Sequence, residues 1–148
     1  MKTLSLTLSL LFVTLSVGPA FAKDPVYTSW KNNLAVGGYD TVSFFSGKPQ
    51  NGKKDLTFDF AGAKWRFATR GNLDLFKTNP EAFMPQYGGY CSWAVAKDKL
   101  AKGSPHYWHV EDGKLYLNFN ARIQRRWEKD IPGFVKAANG NWPEILKD

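Results

Sequence analysis

The sequence predicts an α+β fold, a small single domain in which two β-hairpins are set among several short helices. Two observations carry this. Runs of alternating apolar and polar residues, the period of half-buried strands, flank turn signals at Ala61-Gly62-Ala63 and at Asp112-Gly113. Around them stand short helical stretches marked by Asp40, Thr69, Pro80 and Pro132. Hairpins mixed with short helices mean α+β, not a doubly wound sheet.

The elements follow in order. Gly37-Gly38-Tyr39-Asp40 is a turn, and Asp40 is placed to cap a short helical piece through Phe45, ended by Gly47-Lys48-Pro49. Asn51-Gly52-Lys53-Lys54 is a polar loop. Leu56, Phe58 and Phe60 alternate with Thr57 and Asp59; Trp65 and Phe67 alternate with Lys64, Arg66 and Ala68. These two runs form the first hairpin. Thr69 caps a helix that carries Leu73, Phe76 and Leu75 inward and ends near Asn79, and Pro80 starts another through Phe83. After Pro85 a helix runs from about Gly89 to Leu100.

The second hairpin joins Tyr107-Trp108-His109-Val110 to Leu115-Tyr116-Leu117-Asn118 across Asp112-Gly113, a favoured two-residue turn pair. Trp108 and Val110 face inward there, and His109 faces outward with Glu111. Residues 120–129 form a basic helix with Ile123 and Trp127 on one face. Pro132 opens a last helix, which Asn141-Trp142-Pro143 interrupts. Residues 34–146 read as the domain, without an internal repeat, low-complexity tract or long linker. Residues 23–33 read as a loose leader on which Tyr27 and Trp30 are the docking candidates.

Residues 1–22 read as a secretory signal peptide. Lys2 supplies the positive start, Leu4 to Val17 the apolar stretch, and Ala20-Phe21-Ala22 the small residues of a cleavage site. The stretch is too short and hydroxyl-rich for a membrane span. A periplasmic or secreted location is therefore expected, with cleavage near Ala22. Losing Lys2 lowers the formal charge from +7 to +6 and leaves about 126 of the 148 residues, enough for one core. Aromatics at 16% of the chain make a packed fold credible without disulfides. Export argues against nucleic acid as the partner of the basic surface; an acidic partner or anionic surface suits it better, against the alternative that the charge serves solubility alone.

One cysteine in an exported chain cannot form an internal disulfide. Cys91 is therefore a packing residue, a reactive thiol, a ligand or a link to another chain, such as a dimer. It follows Tyr87, Gly88, Gly89 and Tyr90, and a position in a first helical turn would lower its pKa. With His106 and His109 it would make a set suited to copper or zinc, unless His106 lies in a polar loop and His109 points away. Asp40 beside Tyr39 is a candidate ligand or base, against the alternative of a helix cap. Arg122, Arg125, Arg126 and Lys129 offer an anion-binding surface or a solvated face. The Trp and Phe residues are assigned to the core. There is no Ser/His/Asp arrangement, phosphate loop, haem-attachment motif or Cys-x-x-Cys.

Several of these segments, in this order, resemble the YHS-domain family, in particular its exported bacterial branch. They are Gly38-Tyr39-Asp40-Thr41-Val42-Ser43-Phe44-Phe45 with Gly47-Lys48-Pro49, Trp65-Arg66-Phe67-Ala68, and Asn72-Leu73 with Phe76, Asn79-Pro80 and Phe83. Pro85-Gln86-Tyr87-Gly88-Gly89-Tyr90-Cys91, Asp112-Gly113-Lys114-Leu115-Tyr116-Leu117-Asn118, Trp127 and Trp142-Pro143 complete the likeness. The resemblance implies a small α+β unit. In the branches found in copper-transporting ATPases and multicomponent oxygenases, a metal role is inferred from cysteines. The corresponding stretches here, Tyr39 to Ser43 and Phe67 to Asn72, hold no sulfur, so that role does not carry over through them.

The reading that follows is a non-catalytic binding module for a small ligand or a soft metal ion. Its ligand-binding residues are Tyr39, Asp40, Tyr87, Gly88, Gly89 and Tyr90, and its metal residues Cys91, His106 and His109. The alternatives are a thiol enzyme or redox sensor using Cys91, and a protein-interaction module.

Overall fold

The computed structural model describes residues 22–147. The signal segment expected over residues 1–22 lies outside them except for Ala22. The architecture is α+β, and it is built twice. In the first unit, β1 (Tyr39–Asp40) pairs antiparallel with β2 (Gln50–Asn51), and β3 (Thr57–Phe60) forms a hairpin with β4 (Ala63–Arg66). Helices α1 (Arg70–Thr78) and α2 (Pro80–Phe83) follow. In the second unit, α3 (Ser92–Val95) precedes the hairpin of β5 (Ser104–Glu111) and β6 (Lys114–Asn118), and α4 (Ala121–Trp127) and α5 (Ile131–Asn141) follow it.

The expectation of no internal repeat is corrected by the backbone. Among the described residues every positive φ falls in a pair separated by 51 positions: Val36 with Tyr87, Gly37 with Gly88, Gly38 with Gly89, Gly47 with Asp98, Ala61 with Asp112, and Gly62 with Gly113. The values match as well, 61° at both Gly37 and Gly88 and 86° at both Gly38 and Gly89. L-residues adopt this region rarely, so a run of coincidences at one spacing marks the same chain path. The bridges repeat at the same offset. Leu34 pairs with Lys64 and Pro85 with Leu115; Tyr39 pairs with Asn51 and Tyr90 with Lys102. A Cβ on Gly52 would collide with Arg66, and one on Gly103 with the matching Leu117, so both crossings require glycine.

Capping and packing repeat too. Thr69 Oγ1 accepts from Asn72 N (3.1 Å) and starts α1, while Asn120 Oδ1 accepts from Ile123 N (2.9 Å) and starts α4. Each such cap is worth about 1 kcal/mol. The hairpin of each unit lays an aromatic ring on its following helix: Trp65 on Phe76 at 4.9 Å, Tyr116 on Trp127 at 5.3 Å. The first-unit core gathers Phe44, Trp65, Phe67 and Phe76, and Leu115 and Leu117 of β6 join it. The opposite face of β6 sends Tyr116 into the second core, with Tyr87, Trp127 and Leu146.

Four local expectations change. The helix drawn from Gly89 to Leu100 is only Ser92–Val95, because Asp98 turns left-handed (φ 56°) where the first unit has Gly47. Leu75 is 51% exposed rather than inward. Of the aromatics assigned to the core, Trp30 and Phe119 stand exposed. The leader is not loose: Val26 is buried in the first core, and Tyr27 N donates to Gly88 O (2.9 Å). A Cβ on Gly88 would strike the Pro25 carbonyl, so the leader seats against that glycine. Trp30, offered as a docking residue, instead points to solvent.

Candidate functional site

The offset of 51 brings Asp40 and Cys91 to matching positions. Asp40 is fully buried, and its carboxylate is saturated. Oδ1 accepts from Val42 N (3.0 Å) and Ser43 N (3.4 Å), and Oδ2 from Ala68 N (2.8 Å) and Asn72 Nδ2 (2.7 Å). It therefore ties the start of the 3-10 helix Thr41–Ser46 to the end of the first hairpin and to α1. The helix-cap alternative holds, and the carboxylate has no oxygen turned to a ligand. The Asp40 ligand role is corrected accordingly.

Cys91 meets the same backbone. Burial pushes its thiol up from the ordinary value, while the N–H groups of Ala94, Phe119 and Trp93 pull in the opposite direction and only partly offset it. Those three groups are the counterparts of Ser43, Ala68 and Val42. The side-chain partner differs: where Asn72 donates to Asp40, Ile123 packs on Cys91. The thiol instead donates a long bond to Asn118 Oδ1 (3.7 Å), which also accepts from Trp93 N (3.2 Å). Asn118 Nδ2 is held by Gln124 Oε1 at 2.7 Å. Cys91 lies just before α3 rather than inside a long helix, and desolvation prevails over the lowering expected from a helix start. The thiol is 1% exposed, and burial raises its pKa, so its own environment does not favour the thiolate.

In the first unit this corner is knitted by polar groups. Ser43 Oγ donates to Asp40 O (2.6 Å) and accepts from Gln50 N (2.9 Å). The counterparts of Ser43 and Asn72 are Ala94 and Ile123. Over these apolar residues lies an apolar cavity of about 280 Å³, open to solvent, floored by Cys91 and Ala94 and walled by Trp93, Leu100, Phe119 and Ile123. Among the described residues, Lys97 and Lys99 are its only charged lining residues. Lys97 Nζ lies 5.9 Å from the Trp93 ring centroid, and the Arg126 guanidinium 5.7 Å from the same ring.

The remaining predicted residues do not converge on Cys91. His109 Nε2 pairs with Glu111 Oε2 (2.8 Å), facing outward as expected. His106 is part of β5 rather than a loop, exposed, with its ring edge-on to Tyr39 at 5.7 Å. Among the described residues no three His, Cys, Asp or Glu side chains gather as metal ligands, so the set of Cys91, His106 and His109 is not assembled. Tyr39 packs on the first core, and Tyr87 and Tyr90 belong to the second. Tyr87 OH donates to Asn139 Oδ1 (2.9 Å) and Tyr90 OH to Asp24 O (2.9 Å). Burial raises both phenols, aided by Tyr116 at Tyr87 and by Asp24 and Tyr27 at Tyr90. Tyr87 and Gly88 also border an open cleft of about 480 Å³ with Gln86, Asn139 and Trp142, whereas Gly89 is buried in the turn.

No family model, curated protein or solved structure matches the chain. The site has to be read from its own geometry. Leu100, Phe119, Ile123, Lys97 and Lys99 were not among the predicted site residues. Their signal was available in the repeat: at the constant offset, Asp40 and Asn72 change together to Cys91 and Ile123.

Proposed function

We propose that the chain is a non-catalytic binding module that holds a small, apolar-bodied ligand in the cavity over Cys91. One observation carries this reading: a polar, hydrogen-bonded corner of the first unit recurs in the second as an apolar space lined by two aromatic rings and a thiol. Ligand sites are mostly apolar concavities with few polar groups, and about 280 Å³ falls just below their usual range of about 300–1,000 Å³. The ligand is accordingly small. Cys91 contributes a soft surface rather than a nucleophile.

Export through the signal segment and kinship with the YHS domain belong to the same proposal and rest on the sequence motifs. Cleavage near Ala22 would leave Lys23, whose N–H lies 3.0 Å from Leu146 O, at the start of the folded part. Among the described residues no helix is long and apolar enough to cross a membrane.

The reading is tested by amide NMR during titration with 1-octanol. Shifts are expected at Cys91, Trp93, Phe119 and Ile123. Shifts confined to the cleft beside Tyr87, or none at millimolar alcohol, overturn it. Export is tested by sequencing the amino terminus of protein recovered from a periplasmic fraction, where Lys23 is the expected first residue.

A further inference from the structure

Resting on that reading, we propose that the ligand is an anion: a short apolar body ending in one carboxylate or similar group, with the body in the cavity and the charge on Lys97 and Lys99. The lining holds two cationic side chains and no acidic one. Asp98, between the lysines in sequence, is exposed and does not line the cavity. A further cation, Arg126, stands 5.7 Å from the Trp93 ring centroid, and Lys97 Nζ lies between Trp93 at 5.9 Å and Phe134 at 5.4 Å.

Lys97 and Lys99 line the cavity and are both exposed, so their charged groups reach solvent. Lysine stems lie along apolar surface while the ammonium stays in water, and a ring face attracts the cation. An ammonium offers only donors, so a carboxylate matches it whereas a second ammonium is repelled. The apolar walls give a sugar or nucleotide few partners for its hydroxyls. A single charged end on a short hydrocarbon or aryl body satisfies both parts of the site.

The test compares octanoate, 1-octanol and octylammonium against the full chain by titration calorimetry. Octanoate is expected to bind about 5- to 10-fold more tightly than octanol at low salt, the scale that a few exposed ion pairs provide. Octylammonium is expected to bind weakest. The preference should shrink toward unity in 1 M salt, where the screening length is about 3 Å. The double substitution Lys97→Gln with Lys99→Gln should abolish the preference for octanoate while preserving octanol binding, which also reports that the variant is folded. Equal binding of octanoate and octanol overturns the inference and leaves the apolar site standing. If neither binds, the underlying reading fails. Binding to phosphatidylglycerol vesicles that octanoate does not displace would assign the cations to a lipid surface and also overturn the inference.

Discussion

A carboxylate at position 40 and a thiol at position 91 face equivalent sets of three backbone N–H groups, yet each suits its own neighbour. Asp40 accepts four bonds and requires the Asn72 amide as a donor. Cys91 accepts weakly, and Ile123 asks nothing of it. Mixing the pairs leaves buried polar groups without partners, each costing about 1–3 kcal/mol. Asp40→Cys is therefore expected to destabilise the fold by about 3–5 kcal/mol, because Asn72 and the three amides lose a charged acceptor. Asn72→Ile alone should cost less, about 1–3 kcal/mol, since three donors remain on Asp40. Combining the two restores the pairing used in the second unit and should recover about 1–2 kcal/mol relative to additive losses. Urea denaturation of the two single variants and the double variant measures this coupling. Purely additive costs would show that the two positions do not act as a pair.

Among the elements, the hairpin turns offer a direct comparison. Asp112-Gly113 and Ala61-Gly62 both place two residues at positive φ, with 49° at Asp112 and 50° at Ala61. The left-handed region costs an ordinary L-residue about 1–2 kcal/mol, and Asn or Asp much of that less. Ala61 is exposed, so Ala61→Asn should raise the unfolding free energy by about 0.5–1 kcal/mol. An unchanged urea midpoint would count against a strain at this turn. The two hairpins and the caps at Asp40 and Thr69 were legible because they are local: alternation fixes the buried face, and both caps sit where helices begin. The pairing of β1 with β2 was not legible, because Tyr39-Asp40 read as part of a turn and Asn51 as part of a polar loop, and the short strands meet only across the fold. The length of α3 was not, because Ala94-Val95-Ala96 continues a helical pattern that the left-handed Asp98 stops. The docked leader was hidden too, since Val26 finds its core through a contact at the distant Gly88. The repeat escaped for a related reason. Its identities, such as Gly37/Gly88, Tyr39/Tyr90, Gly52/Gly103 and Gly62/Gly113, are mostly glycines required by the backbone, while core partners such as Phe44/Val95 and Trp65/Tyr116 changed type. Cys91 stood out in the sequence as the lone thiol and Asp40 as a cap; the walls around Cys91 were hidden because Leu100, Phe119 and Ile123 meet it only through the tertiary fold.

For the whole molecule, duplication has not produced two independent halves. Leu115 and Leu117 of β6 are buried against the first unit, whereas the matching Lys64 and Arg66 are partly exposed and Lys64 pairs with Asp59 at 2.8 Å. The second hairpin thus needs the first unit to cover its back. Its other face borders the core containing Tyr87, Tyr90 and Tyr116, whose phenols burial pushes upward. The adjacent Cys91 thiol shifts the same way. These shifts set the sign of the alkaline response. Below about pH 8 all four groups are protonated in both states and contribute no slope. As pH rises through the ordinary values of 9.0 for cysteine and 10.0 for tyrosine, the unfolded chain releases protons that the folded chain keeps. The folded state then binds more protons, so stability falls with rising pH. The urea midpoint should be nearly flat with respect to these groups from about pH 7 to 8 and decline above about pH 9, more shallowly in Tyr116→Phe, which removes one of the titrations. Because Leu115 and Leu117 join the second hairpin to the first core, the loss should occur in one transition. Amide signals from Trp65 and Trp127 should disappear at the same pH, and loss of Trp127 while Trp65 remains native would mean that the first unit stands without the second.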